Sequence, residues 1–181
     1  MAQVPVITVT GWSNSGKTTF FTHVVQILTE SGISVGVIKH HGHRSVEVDT
    51  EGKDTWKYEH AGANPVILAT DKQYAVYVTT PERASREELV NRIADEVEFI
   101  VVEGFRSEAD GAIELSRKAT GKGPKLTPEE RIALITDDEE LAASVRAEGK
   151  PVFGLDDYEA VARYLCELAG VDPARVIGAG D

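Results

Sequence analysis

Eight residues, Gly11-Trp12-Ser13-Asn14-Ser15-Gly16-Lys17-Thr18, carry the spacing G-x-x-x-x-G-K-[ST] and stand between two segments of different period. Upstream, Val4–Thr10 is β-branched and strand-like. Downstream, Phe20, Val24 and Leu28 recur at helical spacing, with Phe21 and Val25 beside them. A strand, a glycine-rich turn and a helix in that order form a cradle for phosphate. Small residues let successive backbone N–H groups turn inward, and the helix adds the positive end of its dipole. In such a loop the Lys17 ammonium reaches the β- and γ-phosphates, and the Thr18 hydroxyl ligates Mg²⁺. Four fixed positions arise by chance in roughly one chain of this length in a hundred, and the strand-before, helix-after context lowers that further.

The rest of the chain agrees with one α/β domain. Gly32 closes the first helix. Strand-like runs at Ile33–Lys39, Phe99–Glu103, Ala112–Leu115, Ile132–Thr136 and Pro151–Leu155 alternate with helical patterns at Asp54–Ala61, Ser85–Asp95, Asp138–Ala147 and Asp157–Ala169. Asp54 is expected to cap its helix, as are Ser85 and Glu88 theirs. Pro65–Thr70 and Tyr74–Thr79, joined by Asp71-Lys72-Gln73, read as a hairpin. The expected fold is three-layered and P-loop NTPase-like. It has a mostly parallel sheet with helices on both faces and an antiparallel hairpin at its edge. Residues 1–169 form the domain, Thr120–Glu130 is expected to be a mobile loop, and 170–181 a tail of uncertain order.

Ligands of such sheets gather beyond the carboxyl ends of the strands. That rule selects Gly11, Lys39, His40, Glu103 and Asp137 as site candidates. Ile100-Val101-Val102-Glu103 is an apolar strand ending in an acid, the form of a Walker B. Thr18 with one or two carboxylates suffices for Mg²⁺, which keeps several waters. Asp49 and Asp54 lie in the polar stretch after the second strand and could reach that ion; Asp54 could equally serve only its helix. His40, His41 and His43 form a compact cluster, open to a metal or a phosphate. The Arg106, Glu114 and Arg117 charges read mainly as solvated loop charge. Asn-Lys-x-Asp, the guanine reader of the small GTPases, is missing. A carboxylate at Asp137 could instead accept both N1–H and N2–H of guanine.

Composition narrows the partners. The 181 residues carry 19 Lys+Arg against 30 Asp+Glu, a net charge of -11. Nucleic-acid surfaces depend on clustered cations, so none is expected. Cys166 is the single cysteine, which excludes an intramolecular disulfide and any Cys-x-x-Cys centre. No leader pattern or membrane-length apolar run is visible, so a cytosolic protein is expected.

Several separated segments recur together: the Gly11–Thr19 cradle, Val37-Ile38-Lys39-His40-His41, Gly52-Lys53-Asp54-Thr55, Ala61-Gly62-Ala63, Val101-Val102-Glu103-Gly104-Phe105-Arg106 and Ile113-Glu114-Leu115-Ser116-Arg117. In this order they resemble the molybdopterin-guanine dinucleotide biosynthesis protein B (MobB) family, from about Val4 to Asp138. The resemblance implies a GTP-binding adaptor that assists a separate guanylyltransferase in molybdenum cofactor maturation. It also implies a homodimer and slow GTP hydrolysis. It assigns phosphate binding to Asn14, Ser15, Gly16, Lys17, Thr18 and Thr19, to which the loop spacing adds Gly11 and Ser13. Mg²⁺ or catalytic support falls to Asp49 and Glu103 beside Lys17 and Thr18. Lys39, His40 and Arg106 become candidates for nucleotide or pterin phosphate, with molybdopterin itself a candidate ligand. His41 departs from the acid or threonine common in the family, and Thr120–Glu130 has no assignable counterpart. Two other classes stay open: a nickel metallochaperone GTPase built on His40, His41 and His43, and a P-loop small-molecule kinase. The apolar strand Tyr74–Val78 offers a dimer a surface to cover.

Overall fold

The computed structural model describes residues 4–42 and 48–178. Its contacts divide the chain into two compact units, Met1–His40 with Arg86–Asp181, and His41–Ser85.

The elements follow in chain order as β1 (Val6–Thr10), α1 (Lys17–Glu30), β2 (Val35–Lys39), α2 (Asp54–His60), β3 (Val66–Ala69), β4 (Tyr74–Tyr77), α3 (Arg86–Ile93), β5 (Phe99–Glu103), β6 (Ala112–Ser116), β7 (Arg131–Thr136), α4 (Glu139–Ala147), β8 (Val152–Phe153) and α5 (Tyr158–Ala169). The larger unit holds a six-stranded sheet in the order β2-β5-β1-β6-β7-β8, every pairing parallel. Strand residues alternate between its faces. Ile7, Val9, Phe99, Val101, Ile113, Leu115, Ala133 and Ile135 pack with α1 and α5. Ile100, Val102 and Ile38 turn the other way, toward Val90 of α3 and Phe105. A strand buried on both faces must be apolar throughout, which is why β5 reads Phe-Ile-Val-Val before its acid. Three layers result, as the alternation of strands and helices implied. Cys166 is fully buried in α5 as a core residue.

The register sets the site. Lys39 pairs with Glu103 and Val9 with Glu103, while Thr10 pairs with Glu114. All strands being parallel, Thr10, Lys39, Glu103, Ser116 and Thr136 end at one edge of the sheet.

Four expectations change. The hairpin β3–β4 is antiparallel as expected but forms a sheet of its own; the edges of the six-stranded sheet are β2 and β8. Asp54 is the first residue of α2 and not its cap, which is Lys53; it contributes a first-turn acid instead. The Thr120–Glu130 segment is fastened rather than loose. Leu126 is buried, and the N–H groups of Lys125 and Leu126 donate to Glu114 at 2.5 and 3.4 Å. The start of the tail is packed too, because Val176 is buried, Arg175 pairs with Glu98, and Arg163 donates to the carbonyls of Pro173 and Val176.

Among the described residues no helix is long and apolar enough to cross a membrane.

Candidate functional site

The cradle occupies the turn between β1 and α1. Asn14 (φ 63°) and Gly16 (φ 89°) adopt left-handed backbone, which turns neighbouring N–H groups to one side. Gly16 caps α1 without any side-chain bond, and the first turn carries no acid, so the helix's leading N–H groups face outward uncompensated. Gly11 is required by close approach: a Cβ there would stand 2.3 Å from the backbone carbonyl oxygen of Leu115. Ser15 is 1% exposed, and its Oγ has no hydrogen-bond partner. A buried hydroxyl without a partner is costly, and an anion accepting its proton would relieve that cost. Ser13 and Thr19 are exposed on the turn and the first helical turn.

Lys17 bends back over the loop and donates to the Trp12 carbonyl at 2.8 Å. Burial holds its ammonium below the ordinary lysine range. The Glu103 carboxylate opposes that shift, and the Lys125 and Lys39 ammoniums add to it. In an acidic chain, three cations around one loop mark a local reversal of charge.

Thr18, Lys39 and Glu103 meet at the sheet edge. The Lys39 ammonium donates to the Thr18 hydroxyl at 3.1 Å and lies 3.3 Å from Glu103 Oε2. A cation is therefore already bridged by a hydroxyl and a carboxylate, both hard oxygens. That donor set fits Mg²⁺, for which Thr18 and Glu103 would be the protein ligands.

Beyond Glu103 the chain turns sharply. Gly104 has φ 102°, and a Cβ there would meet His40 Cβ at 2.8 Å; Phe105 follows at φ 49°. The turn is held by the His40 N–H donating to the Glu103 carbonyl at 2.8 Å and by the His40 ring against Phe105, centroids 4.6 Å apart. Left-handed backbone at a bulky residue beside a site is strain that the surrounding packing must maintain.

Residues 6–137 match the family model of molybdopterin guanine dinucleotide synthesis protein B. The chain belongs to this family. It is 30% identical over 168 residues to the molybdopterin-guanine dinucleotide biosynthesis adapter protein of Escherichia coli K12, covering 91% of this chain and 93% of that one. Against the adapter protein of Haemophilus influenzae the identity is 38% over 121 residues, covering 66% and 67% of the two chains. The crystal structure of Bacillus subtilis MobB superposes with a TM-score of 0.68 at 25% identity, covering 91% of this chain and 98% of that chain.

The remaining family positions fall in different surroundings. Arg106 donates to the Lys125 carbonyl at 2.9 Å and lies 4.0 Å from Glu130. Asp137 accepts the Lys118 N–H at 2.7 Å and lies 3.8 Å from Arg117. Glu114, read as loop charge, is instead fully buried and paired with Arg131 at 3.0 Å, because β6 runs through the middle of the sheet. Asp49 belongs to the unit His41–Ser85, where its Oδ1 accepts the Thr50 N–H at 2.7 Å. His43 lies outside the described residues, and among those described no three His, Cys, Asp or Glu side chains group to hold a metal.

One residue at the loop escaped the sequence reading. Lys125 Nζ donates to the Gly11 carbonyl at 3.2 Å, across 114 positions of chain. It carries no motif, and only its place in a Gly-Lys-Gly-Pro-Lys run hinted at an anion-facing segment.

Proposed function

We propose that this MobB-family protein binds GTP with Mg²⁺ and acts as an adaptor in molybdopterin guanine dinucleotide biosynthesis, serving a separate guanylyltransferase. The observation that carries the reading is the convergence of the glycine-lined cradle, the unpartnered Ser15 hydroxyl and the Thr18–Lys39–Glu103 cluster at one sheet edge. Relatives named as adapter proteins supply the pathway. Gly11 through Thr19 hold the phosphates, Lys17 neutralises them, and Thr18 and Glu103 ligate the ion. Asp137 is the guanine reader at the end of β7; a carboxylate accepts about four hydrogen bonds, so its contact with Lys118 leaves capacity for the base. No residue of the loop is poised as a strong general base, in keeping with slow hydrolysis and a role as carrier or positioner. The protein acts as a homodimer, covering the exposed apolar hairpin residues Ile67, Tyr74 and Val76.

The test is calorimetric titration of the full chain with Mg·GTP and Mg·ATP, followed by co-purification with a molybdopterin guanylyltransferase. Saturable GTP binding that Lys17→Ala abolishes, and co-purification with the enzyme, are the expected results. Absence of binding by either nucleotide overturns the reading.

A further inference from the structure

The segment Lys118–Thr127 lies over the outer side of the cradle, and three separate contacts fasten it there. The Trp12 indole N–H donates to the Gly123 carbonyl at 2.8 Å. The Lys122 and Lys125 ammoniums sit 4.7 and 5.4 Å from the centroid of the same indole. The Lys125 backbone is gripped on both sides: its N–H donates to buried Glu114, and its carbonyl accepts from Arg106. Leu126, next in the chain, is 4% exposed. Glu114 is in turn pinned by Arg131, whose guanidinium also donates to the Leu126 carbonyl at 2.8 Å.

The framework fixes the Lys125 backbone and leaves its ammonium at the cradle. The ammonium is directed at the carbonyl of Gly11, the first residue of the cradle, while the Lys17 ammonium reaches the carbonyl of the next residue, Trp12. Bringing two ammoniums into mutual range is unfavourable unless an anion lies between them. A lysine ammonium has three protons; one reaches the Gly11 carbonyl, and the others are open to a phosphate oxygen.

We infer that Lys125 is a further phosphate-binding residue of this cradle, delivered from the far side of the loop to contact the polyphosphate of the bound nucleotide. Arg106 is a positioning residue for it, acting through the Lys125 carbonyl and not on the ligand directly. The inference rests on the nucleotide reading above. It assigns a function to the segment for which the family pattern supplies none. Trp12 stands between the two cations, its carbonyl accepting from Lys17 and its ring 5.4 Å from the Lys125 ammonium.

Binding of Mg·GTP, Mg·GMP and inorganic tripolyphosphate to the full chain, measured for Lys125→Ala, Lys125→Arg, Lys122→Ala and Lys17→Ala, tests it. Lys125→Ala is expected to weaken GTP and tripolyphosphate by about ten- to hundred-fold, the span of a lost charge-assisted bond, and GMP much less. Lys125→Arg should restore most of the affinity, and the thermal midpoint should hardly move, since the backbone contacts persist. Arg106→Ala should give a smaller loss of the same kind that excess salt does not equalise. If Lys17→Ala abolishes binding while Lys125→Ala does not weaken it, the cradle stands and the inference falls. An equal loss in Lys122→Ala reduces the effect to net charge and also overturns it. If the unaltered protein binds none of the three probes, the nucleotide reading fails and takes this inference with it.

Discussion

The ammonium of Lys39 lies 3.3 Å from the Glu103 carboxylate, and the two residues are direct partners in the β2–β5 register. Parallel pairing of neighbouring strand ends forces this contact, and the Thr18 hydroxyl at 3.1 Å completes a three-point cluster. The pair places a monovalent cation on the oxygens that the proposed Mg²⁺ would use, so an ion bound there would compete with it.

Lys39→Met should therefore sharpen the response of nucleotide binding to Mg²⁺. In chelator the variant is expected to bind GTP more weakly than the unaltered protein, by about ten-fold for one lost charge-assisted contact. With Mg²⁺ the gap should narrow or close. Parallel titrations with Mg²⁺ and with EDTA decide it; an unchanged Mg²⁺ enhancement would rule out competition.

Lys17 carries a pH signature. Its folded-state pKa is depressed, chiefly by burial, so the folded chain releases this proton at lower pH than the unfolded chain does. Between the two pKa values the unfolded state binds more protons, and this residue's contribution to stability rises with pH across that window. Nucleotide affinity runs the opposite way, because only the ammonium attracts phosphate. GTP affinity is expected to fall on the alkaline side, earlier than an ordinary lysine would titrate. Lys17→Arg should flatten that limb; a profile identical in both proteins would show that another group titrates.

Glu114 and Arg131 are both buried, with side-chain exposures of 0% and 2%. Glu114→Ala removes the acceptor of the Lys125 and Leu126 N–H groups and the nearer carboxylate of Arg131, which keeps only Glu148 at 3.6 Å and the Leu126 carbonyl. Breaking one side of a buried pair costs about 3–5 kcal/mol, and chemical denaturation should show a loss of that order. A loss below ~1 kcal/mol would mean that solvent reaches Arg131.

Gly11→Ala places a methyl 2.3 Å from the Leu115 carbonyl oxygen, an atom of the sheet backbone that has little room to yield. Overpacking of this kind costs about 1–3 kcal/mol, and displacement of the loop should abolish nucleotide binding as well. Full GTP affinity in this variant would show that the loop and β6 separate easily.

Ile67 and Val76 are cross-strand partners in the hairpin, 59% and 47% exposed, with Tyr74 on the same face at 70%. Val76→Glu is expected to shift a dimer toward monomer in analytical ultracentrifugation while leaving GTP affinity intact. A monomeric unaltered protein at micromolar concentration ends the dimer reading.

Much of the site was legible in the sequence because its parts are local or lie at strand ends. The Gly11–Thr18 spacing, the apolar run before Glu103 and the Lys39-His40 strand end each follow from periodicity within a few residues. A parallel sheet then brings strand ends to one edge by rule. The hairpin was legible as a pair of strands, but its separation from the main sheet was not, since strand patterns do not name their neighbours. Glu114 was misjudged for a related reason: an acid in a short strand looks solvated until the strand is known to sit between two others.

The sequence by itself determined the glycine-rich turn between β1 and α1, a three-layer α/β fold and an acid at the end of β5, because backbone sterics and side-chain alternation act over short spans. Only the tertiary structure decided that Lys125 approaches Gly11, that Glu114 is buried against Arg131, and that Lys39 bridges Thr18 and Glu103. Those contacts join residues between 17 and 114 positions apart or on different strands, and they exist only because the packed sheet holds the segments in range.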